Sequence, residues 1–214
     1  MKVLGVVGSQ RKNGNTSALV KEALKPFEEN GIDTKLVFLG DYNINDCNGC
    51  DGCQDTFRCI VDDDMQDIYP KILEADAIVL GSPTYFYNVS GDMKTFIDRC
   101  YCFEAFDEGD RSVWMGINEI LGIKYAVVVA VCEQNNAADM GYTAEVMEKP
   151  LEALGYRVVS TAKILNLFSP GEAVSDQIAM EKASKAGEKL LKTLKFRDNL
   201  TRKLRSTGYN NLGQ

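Results

Sequence analysis

Four cysteines, Cys47, Cys50, Cys53 and Cys59, fall in one short stretch spaced C-x2-C-x2-C-x5-C, with Gly49 and Gly52 between the first three. Thiols packed this closely can converge on one small object. A 4Fe-4S cluster needs four thiolates from different directions, and successive C-x-x-C turns supply three of them. Structural zinc ordinarily takes two C-x-x-C knuckles set apart by a longer spacer, so this spacing suits it less. A metal-free loop with redox or structural cysteines is the other reading. Asp46, Asp51, Asp55 and the run Asp62, Asp63, Asp64 surround the stretch. Negative charge beside a cluster disfavours its reduced form and lowers its potential; a solvated acidic face is the alternative.

Two other stretches carry chemistry. Gly8-Ser9-Gln10-Arg11-Lys12-Asn13-Gly14-Asn15-Thr16-Ser17 joins an apolar run to an amphipathic one. Backbone N–H groups at a helix start, with hydroxyls and a cation nearby, favour a phosphate. The spacing matches neither G-x-G-x-x-G nor the Walker loop, and an ordinary N-cap at Asn15 or Thr16 is the plainer reading. The second stretch is Gly81-Ser82-Pro83-Thr84-Tyr85-Phe86-Tyr87-Asn88-Val89-Ser90-Gly91. Three successive aromatics between Pro and Gly suit a planar ligand; a local hydrophobic cluster is the alternative.

What is missing narrows the chemistry further. The 214 residues include no histidine, which removes Ser-His and Cys-His nucleophiles, His-ligated zinc and His bases. A net charge of −7 argues against a nucleic-acid partner. No apolar run approaches the roughly 20 residues of a membrane span. The apolar opening at 3–7 is too short for a signal peptide and is followed at once by polar residues. A cytoplasmic location is expected, where clustered cysteines stay reduced and signal metal or redox work. Cys100, Cys102 and Cys132 read as small buried hydrophobes.

The elements that must position these residues alternate. Strand-length apolar runs occupy 3–7, 34–39, 77–81, 125–131 and 157–162; helical periodicity covers 16–29, 65–74, 91–103, 137–154 and 175–194. Pro70 should distort the second helix. Residues 41–62 form a loop, and 104–123 are irregular or partly helical. Apolar strands alternating with helices imply an α/β fold with a doubly wound five-stranded parallel sheet and the cysteine-rich loop after its second strand. Ligands in such sheets sit beyond the strands' carboxyl ends, where all three stretches emerge. One domain over 1–195 and a polar tail over 196–214 with a local basic patch (Arg197, Arg202, Lys203, Arg205) are expected.

Gly8 to Thr16 resembles the phosphate loop of the NADPH-dependent FMN reductase family. Gly81 to Tyr85, with Ser90-Gly91-Asp92-Met93-Lys94-Thr95-Phe96-Ile97-Asp98-Arg99, resembles that family's second flavin loop and following helix. The resemblance covers roughly residues 1–195. It implies a flavodoxin-like fold with FMN, in homodimers or homotetramers. Carried over by position, Ser9, Arg11, Asn15, Thr16 and Ser17 would hold the phosphate, and Pro83, Thr84, Tyr85 and Phe86 would lie along the isoalloxazine. Cys132-Glu133-Gln134-Asn135-Asn136 stands where many members have a Gly-rich loop, which puts nicotinamide access in doubt. The cysteine motif on this fold is similar to that of the iron–sulfur flavoproteins of anaerobic archaea and bacteria, and implies one 4Fe-4S cluster ligated by Cys47, Cys50, Cys53 and Cys59.

The expected activity is that of an FMN-dependent oxidoreductase. Single electrons would come from a donor such as ferredoxin, pass through the cluster to FMN and leave to a small-molecule acceptor. An NAD(P)H-dependent FMN or quinone reductase without a cluster, and a non-catalytic flavodoxin-like carrier, are the alternatives. The cysteine spacing favours the first.

Overall fold

A computed structural model describes residues 1–207. The chain opens with strand β1 (Lys2–Val7), helix α1 (Asn15–Glu29) and strand β2 (Asp33–Phe38). The cysteine-bearing loop follows, then α2 (Tyr69–Glu74), β3 (Ala77–Pro83) and α3 (Gly91–Arg99). A two-stranded antiparallel hairpin, β4 (Glu104–Phe106) and β5 (Trp114–Gly116), leads into α4 (Ile117–Leu121). The chain then runs through β6 (Lys124–Val131), α5 (Thr143–Ala153), β7 (Tyr156–Ile164) and α6 (Gln177–Ser206).

The five long strands pair in parallel in the order β2-β1-β3-β6-β7. This is the flavodoxin-like doubly wound order, whose switch point lies between β1 and β3. Strand side chains alternate between faces. Val3 and Val7 pack with Val20, Phe27, Ala183 and Leu190 of α1 and α6. Leu4 and Val6 pack on the other face with Met93 and Phe96 of α3 and Met147 and Leu151 of α5. Helices α1 and α6 cross closely at Gly187, where a Cβ would overlap the Ala23 carbonyl. Burial on both faces is why the central strands β1, β3 and β6 read as continuous apolar runs.

Local chemistry adjusts several expected boundaries. Pro70 stands in the first turn of α2, where its missing N–H costs nothing, and the residues before it form a separate 3-10 turn at Asp64–Asp67. Helix α3 ends at Arg99 and tightens into a 3-10 turn at Cys100–Phe103. The irregular segment expected over 104–123 contains the hairpin and α4. Helix α6 runs past 194 to Ser206, so the first part of the polar tail is helical. Ion pairs Glu181–Lys185 (2.5 Å) and Asp198–Arg202 (2.7 Å) line it. Arg197 ties it to the sheet through Asp76 (2.9 Å). The tail's last residues, 208–214, lie outside the described residues. No helix among the described residues is long and apolar enough to cross a membrane.

Candidate functional site

At the carboxyl end of β1, Gly8 N–H donates to the Gly81 carbonyl (2.8 Å), holding the first and third loops side by side. Ser9 is buried, and its Oγ accepts from Arg11 N–H (3.2 Å). Gly14 N–H donates to the Arg11 carbonyl (2.9 Å), folding the loop back onto α1. No side chain caps α1, and no acidic residue stands in its first turn. The helix therefore presents uncapped N–H groups and the positive end of its dipole, the arrangement that takes an anion.

The structure brings Ser9, Arg11, Asn15, Thr16, Pro83, Thr84 and Tyr85 to one hollow. Asn15 has a second engagement. Its amide nitrogen donates to the carbonyls of Leu167 (3.3 Å) and Ser169 (3.0 Å), and its oxygen accepts from Ala173 N–H (3.0 Å). The side chain thus braces the loop after β7. Ser17 is placed elsewhere: its hydroxyl is buried without a partner among the described residues and lines a separate hollow with Lys12, Lys21 and Lys25. Leu167, Phe168 and Pro170 form a wall of the first hollow. Sequence reasoning did not single them out; the only signal was a Pro-Gly pair beyond the fifth strand.

The aromatic loop is built by a tight turn. Tyr85 and Asn88 exchange backbone hydrogen bonds (2.8 and 3.2 Å), and the two residues between them, Phe86 and Tyr87, have φ of 48° and 67°. Glycine or asparagine usually fills such positions, so two aromatics here represent stored strain of the kind found at binding sites. Neighbours hold the turn. Thr84 N–H donates to the Val131 carbonyl (2.6 Å), and Thr143 Oγ1 lies 3.0 Å from Thr84 Oγ1. Tyr142 N–H donates to the Tyr87 carbonyl (2.9 Å) across Gly141, where a Cβ would overlap that carbonyl. Phe86 is 97% exposed even though its ring meets Tyr87 edge-on at 5.8 Å between centroids, an unusual state for an aromatic side chain. It lines an adjoining hollow of about 340 Å³ with Thr84, Cys132, Glu133 and Gln134. An anion cradle that shares Thr84 and Glu133 with an aromatic-edged hollow fits a phosphorylated flavin.

The cysteine loop hangs between β2 and α2. All four of its cysteines are free thiols, Cys47 and Cys50 exposed, Cys53 and Cys59 partly buried. Burial pushes the Cys53 thiol pKa up, and Cys59, Cys50 and Cys47 add to it, so each of these three lies within electrostatic reach of Cys53. Among the described residues, no three Cys, His, Asp or Glu side chains are already gathered to hold a metal ion. Four thiols on one glycine-containing loop are nevertheless the donor set a 4Fe-4S cluster takes.

The neck of that loop is firmly tied. Arg99 donates from Nη1 and Nη2 to the two carboxylate oxygens of Asp63 (2.6 and 3.1 Å), and from Nη1 to the Asn45 carbonyl (2.7 Å). Asp63 also accepts from the N–H groups of Asn45 (2.9 Å) and Met65 (3.0 Å). Burial works to raise the Asp63 pKa, but Arg99 and these N–H groups outweigh it and hold the carboxyl low. Part of the acidic run is therefore structural. Cys100 and Cys102 are buried, and burial pushes the Cys102 thiol up to about 12, as expected for core thiols. Cys132 is also buried but faces the second hollow.

Comparison with known proteins fits this geometry. The family described as NADPH-dependent FMN reductase matches residues 1–140. An iron-sulfur flavoprotein of Archaeoglobus fulgidus is 34% identical over 193 residues, 89% of this chain and 79% of that protein. An iron-sulfur flavoprotein of Methanocaldococcus jannaschii is 46% identical over 99 residues, 46% of this chain and 51% of that protein. The chain thus spans about half the length of some of the curated relatives it matches. The solved NAD(P)H:quinone oxidoreductase of Methanothermobacter marburgensis superposes with a TM-score of 0.66 at 15% identity, covering 89% of this chain and 98% of that one. It shares the fold.

Proposed function

The chain belongs to the NADPH-dependent FMN reductase family, and from there we propose that it is an FMN-dependent oxidoreductase passing single electrons from a ferredoxin-like donor, through a 4Fe-4S cluster on the cysteine loop, to FMN and a small-molecule acceptor. The observation that carries the reading is the loop of four free thiols tied to the helix that leaves the aromatic loop. The domain placed over 1–195 extends with α6 to Ser206, and the cytoplasm is the compartment that keeps such thiols reduced. Homodimers or homotetramers would cover exposed apolar side chains such as Trp114, Ile120, Leu121 and Ile123.

When bound, the cluster supplies one-electron exchange and FMN supplies one- or two-electron storage. The protein's part is binding and placement. The start of α1, with Ser9, Arg11 and Thr16, takes the phosphate; Asn15 braces the wall behind it. Pro83, Thr84, Tyr85 and Phe86 flank the ring, and Cys47, Cys50, Cys53 and Cys59 hold the cluster. The Ser17 backbone N–H serves the phosphate while its hydroxyl faces away.

An NAD(P)H-dependent FMN or quinone reductase without a cluster is the second reading, favoured by the description of the matching family as NADPH-dependent FMN reductase. Anaerobic purification and iron–sulfide reconstitution separate the two. About four irons per chain with broad visible absorbance supports the cluster. Cys50→Ser should abolish the iron and leave flavin bound. An iron-free yellow protein reduced by NADPH but not by reduced ferredoxin would overturn the leading reading.

A further inference from the structure

We propose that Arg99 is a positioning residue for the cluster: paired with Asp63, it clasps both ends of the cysteine loop to the flavin-loop helix and sets the charge felt by the bound cluster. The proposal rests on the cluster reading above. Three observations support it. First, the pair is almost wholly dry, with side chains 0% and 2% exposed. A bidentate ion pair so far from water is costly to maintain, and replacing such pairs by apolar residues often stabilises a fold. Stability alone therefore explains its presence poorly.

Second, the clasp joins the three segments that matter. Arg99 reaches Asn45 at the loop's start and Asp63 at its end. Thr95, one helical turn earlier in α3, donates to Asp46 (2.6 Å). Ser90, which caps α3, donates to the Gly8 carbonyl and accepts from Met93 N–H (3.2 Å). One short helix thus connects the phosphate loop, the aromatic loop and the neck of the cysteine loop. Inside the neck, the thiols are not gathered. Fixing the two ends reduces the entropy that cluster assembly must overcome.

Third, Arg99 has something left to offer. Its Nε–H is buried without a partner among the described residues, an expensive omission unless an acceptor arrives. Cys59 lies within electrostatic reach of the guanidinium. A cluster sulfur on that cysteine would supply an acceptor for such a donor.

The test compares Arg99→Gln, Asp63→Asn, the double variant and Arg99→Lys with wild type in the full-length protein. In metal-free protein, amide exchange over 45–63 should rise on the order of a hundredfold in each single variant, because each leaves a buried charge unpaired. The double variant should recover much of the protection. In reconstituted protein, the cluster's midpoint potential should fall in Arg99→Gln, which leaves the Asp63 charge, and rise in Asp63→Asn, which leaves the Arg99 charge. The double variant should return toward wild type, and Arg99→Lys should stay nearer wild type than Arg99→Gln. Shifts of the same sign in both single variants, or none, would overturn the electrostatic role, since loosening alone has no reason to reverse sign. Unchanged exchange would overturn the clasp. If a single variant holds no iron, loss of loop protection in its metal-free form supports the clasp, and intact protection overturns it. If wild type takes up no iron, the cluster reading fails instead, and exchange in the metal-free protein alone decides whether Arg99 closes the neck.

Discussion

Asn15→Ala separates two roles that look alike in a flavin-binding assay. Position in the first loop suggests a phosphate ligand, but the amide is committed to Leu167, Ser169 and Ala173. The substitution removes three hydrogen bonds, each contributing about 1 kcal/mol, for a ceiling of roughly 3 kcal/mol. The Ser169 contact is exposed and can turn to water, so about 2 kcal/mol is the better expectation. In a protein of this size that lowers the Tm by roughly 4–8 °C. The same loosening frees the wall formed by Leu167, Phe168 and Pro170. FMN and riboflavin should both bind more weakly, by up to about thirtyfold for 2 kcal/mol. Flavin fluorescence titration of the flavin-free protein, run beside thermal unfolding, measures both quantities. Arg11→Ala is the control: it should weaken FMN and leave riboflavin unchanged. If Asn15→Ala weakens FMN alone and leaves the Tm in place, Asn15 is a phosphate ligand and the bracing argument is wrong.

Phe86→Asn should raise the thermal stability of the flavin-free protein by about 1 kcal/mol, because asparagine tolerates left-handed backbone and strain there costs roughly 1–3 kcal/mol. The same variant should weaken flavin binding; unchanged binding would remove Phe86 from the ring site. Gly141→Ala should do the reverse of a stabilising change, pushing the Tyr87 carbonyl aside and broadening the bound flavin's visible spectrum; an unshifted spectrum would show that the turn is not braced there. Burial works to raise the Asp76 pKa, but Arg197, the Lys2 N–H and the N-terminus outweigh it and hold the carboxyl below its ordinary 3.8. Its contribution is therefore fully present above that value and is lost as the pH falls through the lower folded-state value. Acid unfolding of Asp76→Asn should show a weaker pH dependence in that window, and the partly exposed Arg197 pair itself contributes under about 1 kcal/mol.

Much of this molecule is legible along the chain because its chemistry is local. The central strands β1, β3 and β6 announce themselves as apolar runs, since both faces of the sheet are covered there, while the edge strands β2 and β7 are only partly buried. The cysteine spacing, the phosphate loop and the aromatic loop are likewise contiguous. The hairpin over 104–116 was obscure because its strands are short, with exposed apolar residues such as Trp114 and Met115, and so lack the alternation that marks a half-buried strand. The far end of α6 was obscure because Phe196, Leu200 and Leu204 are exposed, while ion pairs and the Asp76 contact hold the helix.

Residue types and spacing by themselves determined which atoms this protein has for chemistry: four clustered thiols, a hydroxyl-rich first loop, three successive aromatics and no histidine. Only the tertiary structure decided what several of them do. The Asn15 amide meets Leu167, Ser169 and Ala173 because the β7–α6 loop returns beside α1, which nothing near residue 15 foretells. Nothing in the sequence around Arg99 foretells its ion pair. The side chain is buried because Asp63, 36 positions earlier in the chain, arrives to pair with it. Charges and amides take their roles from partners far away in sequence, and folding alone brings those partners within a hydrogen bond.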